Sequence, residues 1–381
     1  MKIATFGVEM WMNEFENHCR YNLAETCVDS ITLGELIDMA GVDNSVLGDL
    51  RGMRMSYGAI EGSDRLRDAV AGLYETQSRE NILTTHGTIG ANALVHQTLI
   101  SRGDHVIAIV PTYQQHYSIP ESIGAEVELL HLRPENGFLP DLNELRAMMR
   151  PDTRMIATNN PNNPTGALMD RAMLAEIAEI ARGSEAWVLC DEVYRGTDQT
   201  GDGYTASICD LYDRGISTAG MSKAYSLAGL RVGWVAGPQA LLEKIMIHRD
   251  YNTISVGGID EYFSALALES RAQILDRAHR ITRGNLEILA DWVEAEPLIS
   301  WVKPQSGTTA LVKYDLPLRS RDFCTQLLEE EGVLFTPGSA MDMEGWLRIG
   351  FANSTADLQD GLASVSTFLA RQSAAQTTTQ P

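Results

Sequence analysis

One lysine stands among small and hydroxyl residues in the stretch Ser217-Thr-Ala-Gly-Met-Ser-Lys-Ala-Tyr-Ser-Leu-Ala-Gly-Leu-Arg-Val-Gly-Trp234. It is Lys223, with Ser222 before it, Arg231 eight residues later and glycines at 220, 229 and 233. A lysine in a tight, largely apolar turn is partly desolvated, which lowers its pKa and frees the amine for Schiff-base chemistry. Ser222 and Arg231 add a hydroxyl and a planar cation, a pair suited to a phosphate dianion. The plainer alternative is a surface turn with a solvated lysine, and the stretch alone leaves both open.

Three upstream motifs add weight, each placed at the end of a short apolar run. Thr84-Thr-His-Gly-Thr-Ile-Gly-Ala91 opens a helix, and backbone N–H groups at a glycine-bearing helix start suit a phosphate. Such turns are also common connectors. Asn159-Asn-Pro-Asn-Asn-Pro-Thr-Gly166 reads as a turn, with Asn163 as a donor to a ligand oxygen. In Val188-Leu-Cys-Asp-Glu-Val-Tyr194, an acid ends an apolar strand, which is expensive without a cationic partner. Asp191 opposite a protonated pyridine nitrogen meets that requirement and holds the ring as an electron sink. An ordinary strand-ending acid that caps the next turn is the bland alternative.

The composition bounds the rest. A chain of 381 residues predicts two domains, and 44% hydrophobic with 21% charged residues is the balance of a soluble globular protein. Fifty-one acidic against thirty basic residues give a formal charge of −21, which argues against nucleic acid or an anionic membrane as partner. Each well-placed arginine is then informative. Cys19, Cys27, Cys190, Cys209 and Cys324 are scattered without metal-type spacing, so they predict reduced thiols in the cytoplasm and no metal. The first sixteen residues have no apolar core for a signal peptide, and no run approaches a membrane span.

The elements that must position these residues follow from the apolar pattern. Val8 to Cys19, with Met10, Trp11 and Phe15, predicts an amphipathic arm with one face to bury. Thr32-x-x-Glu35 is a capping box for a short helix through Met39, and a further helix spans Ser63 to Glu75. Apolar runs at 82–83, 106–110, 127–130, 155–157, 187–190 and 216–218 alternate with helical patterns at 90–101, 117–123, 142–149 and 170–182. That alternation predicts a mostly parallel sheet covered on both faces, with ligands at the carboxyl ends of its strands. Long helical patterns follow at 240–250, 257–269 and 272–293. Short strands at 308–312, 332–336 and 346–351 with helices at 320–330 and 356–371 then suggest an α+β unit.

As a set, Asn163, Asp191, Tyr194, Lys223 and Arg231 resemble the pyridoxal-phosphate enzymes of fold type I, the class I/II aminotransferases, in order and spacing. The resemblance runs from Tyr21 to Phe351. It implies an α/β large domain (41–270) with a mostly parallel seven-stranded sheet between helices, and a smaller α+β domain (271–371). Residues 1–40 would supply an arm and part of the small domain, and 372–381 a disordered tail. It further implies pyridoxal 5'-phosphate linked to Lys223, Asp191 on the pyridine nitrogen, and Asn163 and Tyr194 on the phenolic oxygen. Gly87, Thr88, Ser222 and Arg231 would hold the phosphate, Tyr113 would stack on the ring, and Tyr57 would reach the phosphate of a second subunit in a homodimer, to whose contact the apolar arm around Trp11 would add. Arg348 would clamp the substrate α-carboxylate, with Asn163 beside it.

Two departures stand out. Gly220 sits where relatives often carry Ser or Thr, so one phosphate hydroxyl is expected to be missing. Leu23-Ala-Glu-Thr-Cys-Val-Asp-Ser30 replaces a glycine-bearing turn that borders the substrate. Glu25 and Asp29 there would favour a substrate with a distal cation, against a plain reading as solvated loop acids. Thr85-His-Gly, Leu132-Arg-Pro-Glu-Asn-Gly-Phe138 and Arg249-Asp-Tyr251 resemble the branch that includes capreomycidine synthase. The resemblance therefore implies an aminotransferase using an L-amino acid and a 2-oxo acid, with a lyase or cyclase on a basic amino acid as the rival. A non-catalytic binding protein on this fold is the third reading, and the intact lysine, aspartate and arginine set argues against it.

Overall fold

The computed structural model describes residues 2–43 and 45–379. Its strands in chain order are β1 (Tyr21–Asn22), β2 (Ile82–His86), β3 (His105–Val110), β4 (Glu126–His131), β5 (Thr153–Asn159), β6 (Trp187–Asp191), β7 (Gly215–Gly220) and β8 (Val232–Ala236). There follow β9 (Ile299–Trp301), β10 (Thr309–Tyr314), β11 (Val333–Leu334), β12 (Thr336–Pro337) and β13 (Trp346–Gly350). The helices are α1 (Gly7–Phe15), α2 (Leu33–Ala40), α3 (Ser45–Gly52), α4 (Asp64–Ala71), α5 (Gly87–Leu99), α6 (Gln115–Ile123), α7 (Leu142–Met148) and α8 (Arg171–Arg182). They continue with α9 (Gln239–Asp250), α10 (Gly258–Glu269), α11 (Arg271–Ala295), α12 (Ser320–Glu331) and α13 (Thr355–Thr379).

The apolar runs between residues 82 and 236 pair into a seven-stranded sheet of order β2-β8-β7-β6-β5-β3-β4. Strands β3 and β7 are buried along their whole length, as a sheet covered on both faces demands. Only β8 runs against its neighbours β2 and β7. That reversal matters for the site: β7 and β8 form a hairpin, so the start of β8 lies at the same edge as the carboxyl ends of the other strands. Sequence reading placed the other six strands but did not separate β8 from the glycine-rich stretch that leads into it. It also passed over α3, whose eight residues include two glycines and carry little apolar periodicity.

A second sheet, β12-β13-β10-β9, is antiparallel, and β1 pairs in parallel with β11. Behind them Phe323, Phe335, Phe368 and Leu327 pack with Leu23, Leu286 and Leu289 into a separate core. Helix α11 contributes Ile274 and Leu275 to the core of the large sheet and Leu286, Leu289 and Val293 to this one. The capping box at Thr32 forms, with Glu35 bonded back to the Thr32 backbone. Helix α13 runs on to Thr379, into the segment read as a disordered tail, whose residues 380 and 381 lie outside the described residues.

One expectation about the arm is corrected. Trp11 was read as part of a dimer contact, yet it is buried in its own chain and donates its indole N–H to the Phe335 carbonyl at 2.8 Å. Its apolar face is used up internally by the core behind β11 and β12. Among the described residues no helix is long and apolar enough to cross a membrane.

Candidate active site

A cavity of about 290 Å³ opens at the carboxyl edge of the seven-stranded sheet. Each strand there delivers its residues through the turn that follows it. Thr88 comes after β2, Tyr113 after β3, Asn163 after β5, Asp191 ends β6, Tyr194 follows it, and Ser222 and Lys223 come after β7. Arg231 immediately precedes the reversed strand β8, so one hairpin supplies Ser222, Lys223 and Arg231 together. Arg231 holds a left-handed φ of 53°, a conformation uncommon for residues that carry a side chain.

Lys223 Nζ donates to Thr26 Oγ1 at 2.6 Å and to Cys27 Sγ at 3.4 Å. Its pKa corrects the expectation drawn from the sequence. Burial pulls it down, but the Cys27 thiol, the Tyr194 phenol and the Glu25 carboxylate pull it further up, so the net shift is upward. Desolvation is the largest single cause, but the raising groups together outweigh it, and two of them, Cys27 and Glu25, lie almost two hundred positions away in sequence.

Asp191 is 3% exposed. Its Oδ2 accepts from Asn92 Nδ2 at 2.7 Å, and His116 Nε2 lies 3.5 Å from the same oxygen. Its Oδ1 accepts the Val193 N–H at 3.1 Å, as an acid that caps the following turn would. Burial raises the Tyr194 phenol. Tyr113 donates to Glu9 Oε1 of α1 at 2.7 Å, and burial foremost, with the Glu9 charge next, drives its pKa up.

On the opposite wall, Arg348 of β13 is 3% exposed. It donates to Asn163 Oδ1 at 3.3 Å, to the Ala24 carbonyl at 3.3 Å and to Thr336 Oγ1 at 3.1 Å. Its Nε has no partner among the described residues, and burial holds its pKa below the ordinary arginine value. A buried guanidinium with an idle donor and no ion pair is costly unless an anion arrives. Glu25 also lines the cavity, its Oε1 fixed by the backbone N–H groups of Thr26 (2.6 Å) and Cys27 (2.8 Å). Asp29 does not: it pairs with Arg277 at 2.9 Å, away from the cavity, so its expected part in substrate choice is withdrawn. Tyr57 lies outside the cavity of its own chain and is 79% exposed.

Sequence reasoning missed Glu9, Thr26, Cys27, Asn92 and His116. Glu9, Thr26 and Cys27 lie in segments whose unusual character was visible, but nothing local says which way they face. Asn92 lies one turn along α5 from Thr88, a helical spacing that brings it to the same side.

The model of the class I and II aminotransferases matches residues 45–365. The chain belongs to that family. Capreomycidine synthase of Streptomyces vinaceus is 32% identical over 362 residues, covering 94% of this chain and 92% of the relative. Arginine–pyruvate transaminase of Pseudomonas aeruginosa is 28% identical, covering 85% and 84%. The crystal structure of a PLP-dependent aminotransferase from Streptococcus suis superposes with a TM-score of 0.95 at 44% identity, over 98% of this chain and 99% of that one. A PLP-dependent cyclase, OrfR, shares the fold, with a TM-score of 0.89 at 24% identity over 97% and 98%. This is a pyridoxal-phosphate enzyme of fold type I.

The residues present fit that cofactor. Thr88 Oγ1 is buried at the cavity wall without a partner among the described residues, as a hydroxyl awaiting an acceptor would be. At Gly220 a Cβ would come within 2.7 Å of this hydroxyl and 2.9 Å of the Val232 carbonyl. A serine or threonine at 220 would therefore not fit here, and the Thr88 hydroxyl occupies the neighbouring space.

Proposed function

We propose that the protein is an aminotransferase that moves the amino group of an L-amino acid to a 2-oxo acid. The observation that carries the reading is Arg348, a buried guanidinium whose Nε has no partner among the described residues and which lines the cavity that also holds Lys223 and Asp191. A substrate α-carboxylate is the anion that such a site lacks. Pyridoxal phosphate, when bound, supplies an electron sink for the pair released at Cα.

The chain's own groups then have distinct tasks. Thr88, the Gly87 backbone, Ser222 and Arg231 would hold the phosphate, and Tyr113 would lie against the ring. Asp191, anchored by Asn92, would keep the pyridine nitrogen protonated. Asn163 and Tyr194 would bond the phenolic oxygen. Arg348 fixes the carboxylate and so the direction of the Cα–H bond, an orientation effect that can supply several kcal/mol, on the order of 7–11 at most. Lys223, as the free amine, takes the Cα proton. Glu25 on the cavity wall would meet the distal cation of a basic amino acid.

A second reading is favoured by the 32% identity to capreomycidine synthase across 94% of the chain: a lyase or cyclase on a basic amino acid. The same residues would remove the Cα proton, and loss of a β or γ substituent would follow in place of amino transfer. Exposed Tyr57 supports a homodimer with shared sites, and the five scattered cysteines support the cytoplasm. Gly58 lies against the Val256 carbonyl and Arg249 donates to the Ile60 carbonyl, so exposed Met55, Tyr57, Tyr251 and Ile254 form neighbouring apolar segments.

The test is a panel of amino acids added to the purified protein, with the visible spectrum followed with and without 2-oxo acids. Amino transfer predicts a spectral change with the amino acid alone and its reversal by the 2-oxo acid. Turnover without any 2-oxo acid would replace this reading with the lyase or cyclase. No spectral response to any amino acid would remove both.

A further inference from the structure

The free amine of Lys223 is held by two acceptors from a segment almost two hundred residues away, and no role has yet been given to either. Thr26 Oγ1 lies 2.6 Å from Nζ and Cys27 Sγ 3.4 Å from it. A neutral amine has two N–H bonds and one lone pair. If Thr26 and Cys27 take both N–H bonds, the lone pair has one direction left, away from their wall and into the cavity. A lysine that is to take a proton needs its lone pair aimed in that way.

A pair that positions another group must itself be fixed, and this one is held on several sides. The Thr26 carbonyl accepts the Thr308 hydroxyl at 2.6 Å. The Thr26 and Cys27 N–H groups both bind Glu25 Oε1. The Val28 N–H donates to the Lys223 carbonyl at 3.4 Å, which ties the segment to the lysine turn. Gly350 at the end of β13 packs so close to the Glu25 carbonyl that a Cβ there would collide with it. Thr26 and Cys27 are both buried.

We propose that Thr26 and Cys27 are positioning residues that orient the free Lys223 amine for proton removal. The inference rests on the reading of Lys223 as the base. Besides Cys27, the groups facing Lys223 are Tyr194 and Glu25, with Arg348 facing both of these in turn. Glu25 holds the lysine charged by its carboxylate and Cys27 by accepting its hydrogen bond, so Cys27 has a second effect: it delays the appearance of the neutral amine as pH rises. Burial keeps the thiol itself protonated, with Lys223 opposing that shift and Glu25 adding to it. The thiol therefore remains a neutral acceptor.

The experiment measures deuterium uptake at Cα by proton NMR, with holoenzyme in heavy water and no 2-oxo acid. The probes are L-arginine, L-lysine, L-ornithine and L-alanine. Thr26→Val, which keeps the shape and loses the acceptor, is expected to slow exchange by roughly a hundred-fold. Thr26→Ser is expected to restore most of it. Cys27→Ala is expected to slow exchange and to move the rising limb of its pH profile to lower pH, and Cys27→Ser to recover the rate. Amino-acid affinity, read from the cofactor spectrum, stays unchanged in all four. Wild-type exchange retained in both Thr26→Val and Cys27→Ala would overturn the inference. So would equal losses in the Ser and non-polar variants with an unmoved pH limb, which mark a packing effect. If the wild-type protein exchanges none of the four probes, the reading of Lys223 as an amino-acid base falls instead.

Discussion

Along the carboxyl edge of the large sheet, every candidate side chain stands within a few residues of a strand end. Across the cavity, Glu9 comes from α1, Glu25, Thr26 and Cys27 from the loop after β1, and Arg348 from β13. The first wall is a row of local turns on a rigid parallel sheet. The second is assembled by the packing of the smaller core, from segments more than three hundred residues apart. The difference suggests a division of labour. The sheet edge suits the chemistry common to all substrates, and the assembled wall suits the choice among them and the aim of the lysine.

That division can be broken by mutation. A change on the sheet wall should cost turnover with every amino acid. Lys223→Ala carries the largest effect, a loss of more than about a thousand-fold for want of the base, while some pyridoxal phosphate still binds. Mixing it with Tyr57→Ala should return part of the activity if sites are shared between subunits. Full activity in the single mutant, measured by steady-state kinetics, would remove Lys223 from the chemistry. Asp191→Asn should come next, with a loss of about a hundred-fold or more and an unchanged fold by circular dichroism, because an amide sustains no pyridinium. Near wild-type turnover would place Asp191 among ordinary turn-capping acids.

A change on the assembled wall should alter choice. Glu25→Gln should lower kcat/KM for arginine, lysine or ornithine relative to alanine by about 2 kcal/mol, with the neutral substrate little affected. An unchanged ratio would leave Glu25 as a structural acid that organises its own loop. The gradient between the walls is also why they differ in legibility. Lys223, Asp191, Asn163 and Gly87 could be found by spacing because each is fixed by its own turn. Trp11 was misplaced because an apolar arm fits an internal core as well as an interface, and only the presence of the Phe335 carbonyl decides between them. Cys27 and Thr26 were within a segment singled out as unusual, but their direction depends on Thr308 and Gly350, which no local pattern connects to them. The upward shift at Lys223 was missed for the same reason.

Asp198 sharpens the comparison by lying on neither wall. It accepts from Ser306 Oγ at 2.7 Å, and burial raises its carboxyl from 3.8 to about 6. The folded state thus favours the protonated acid. Its stabilising contribution is full below about pH 4 and is lost as pH rises through 6. Asp198→Asn should be more stable than the wild type at pH 8, by about 2–3 kcal/mol, equally stable at pH 4, and unaltered in turnover. Urea titrations at the two pH values provide the measurement, and a loss of stability at pH 8 would contradict it.

The central claim is that Lys223, held at the β7–β8 hairpin, is the residue that carries the cofactor. Borohydride reduction of the purified holoenzyme followed by peptide mass spectrometry tests it directly. The chain has only Lys2, Lys244, Lys303 and Lys313 besides Lys223. The account predicts a pyridoxyl group on the peptide containing Lys223 and on no other. A label on any of the other four, or unmodified Lys223 after complete bleaching of the visible band, would contradict it.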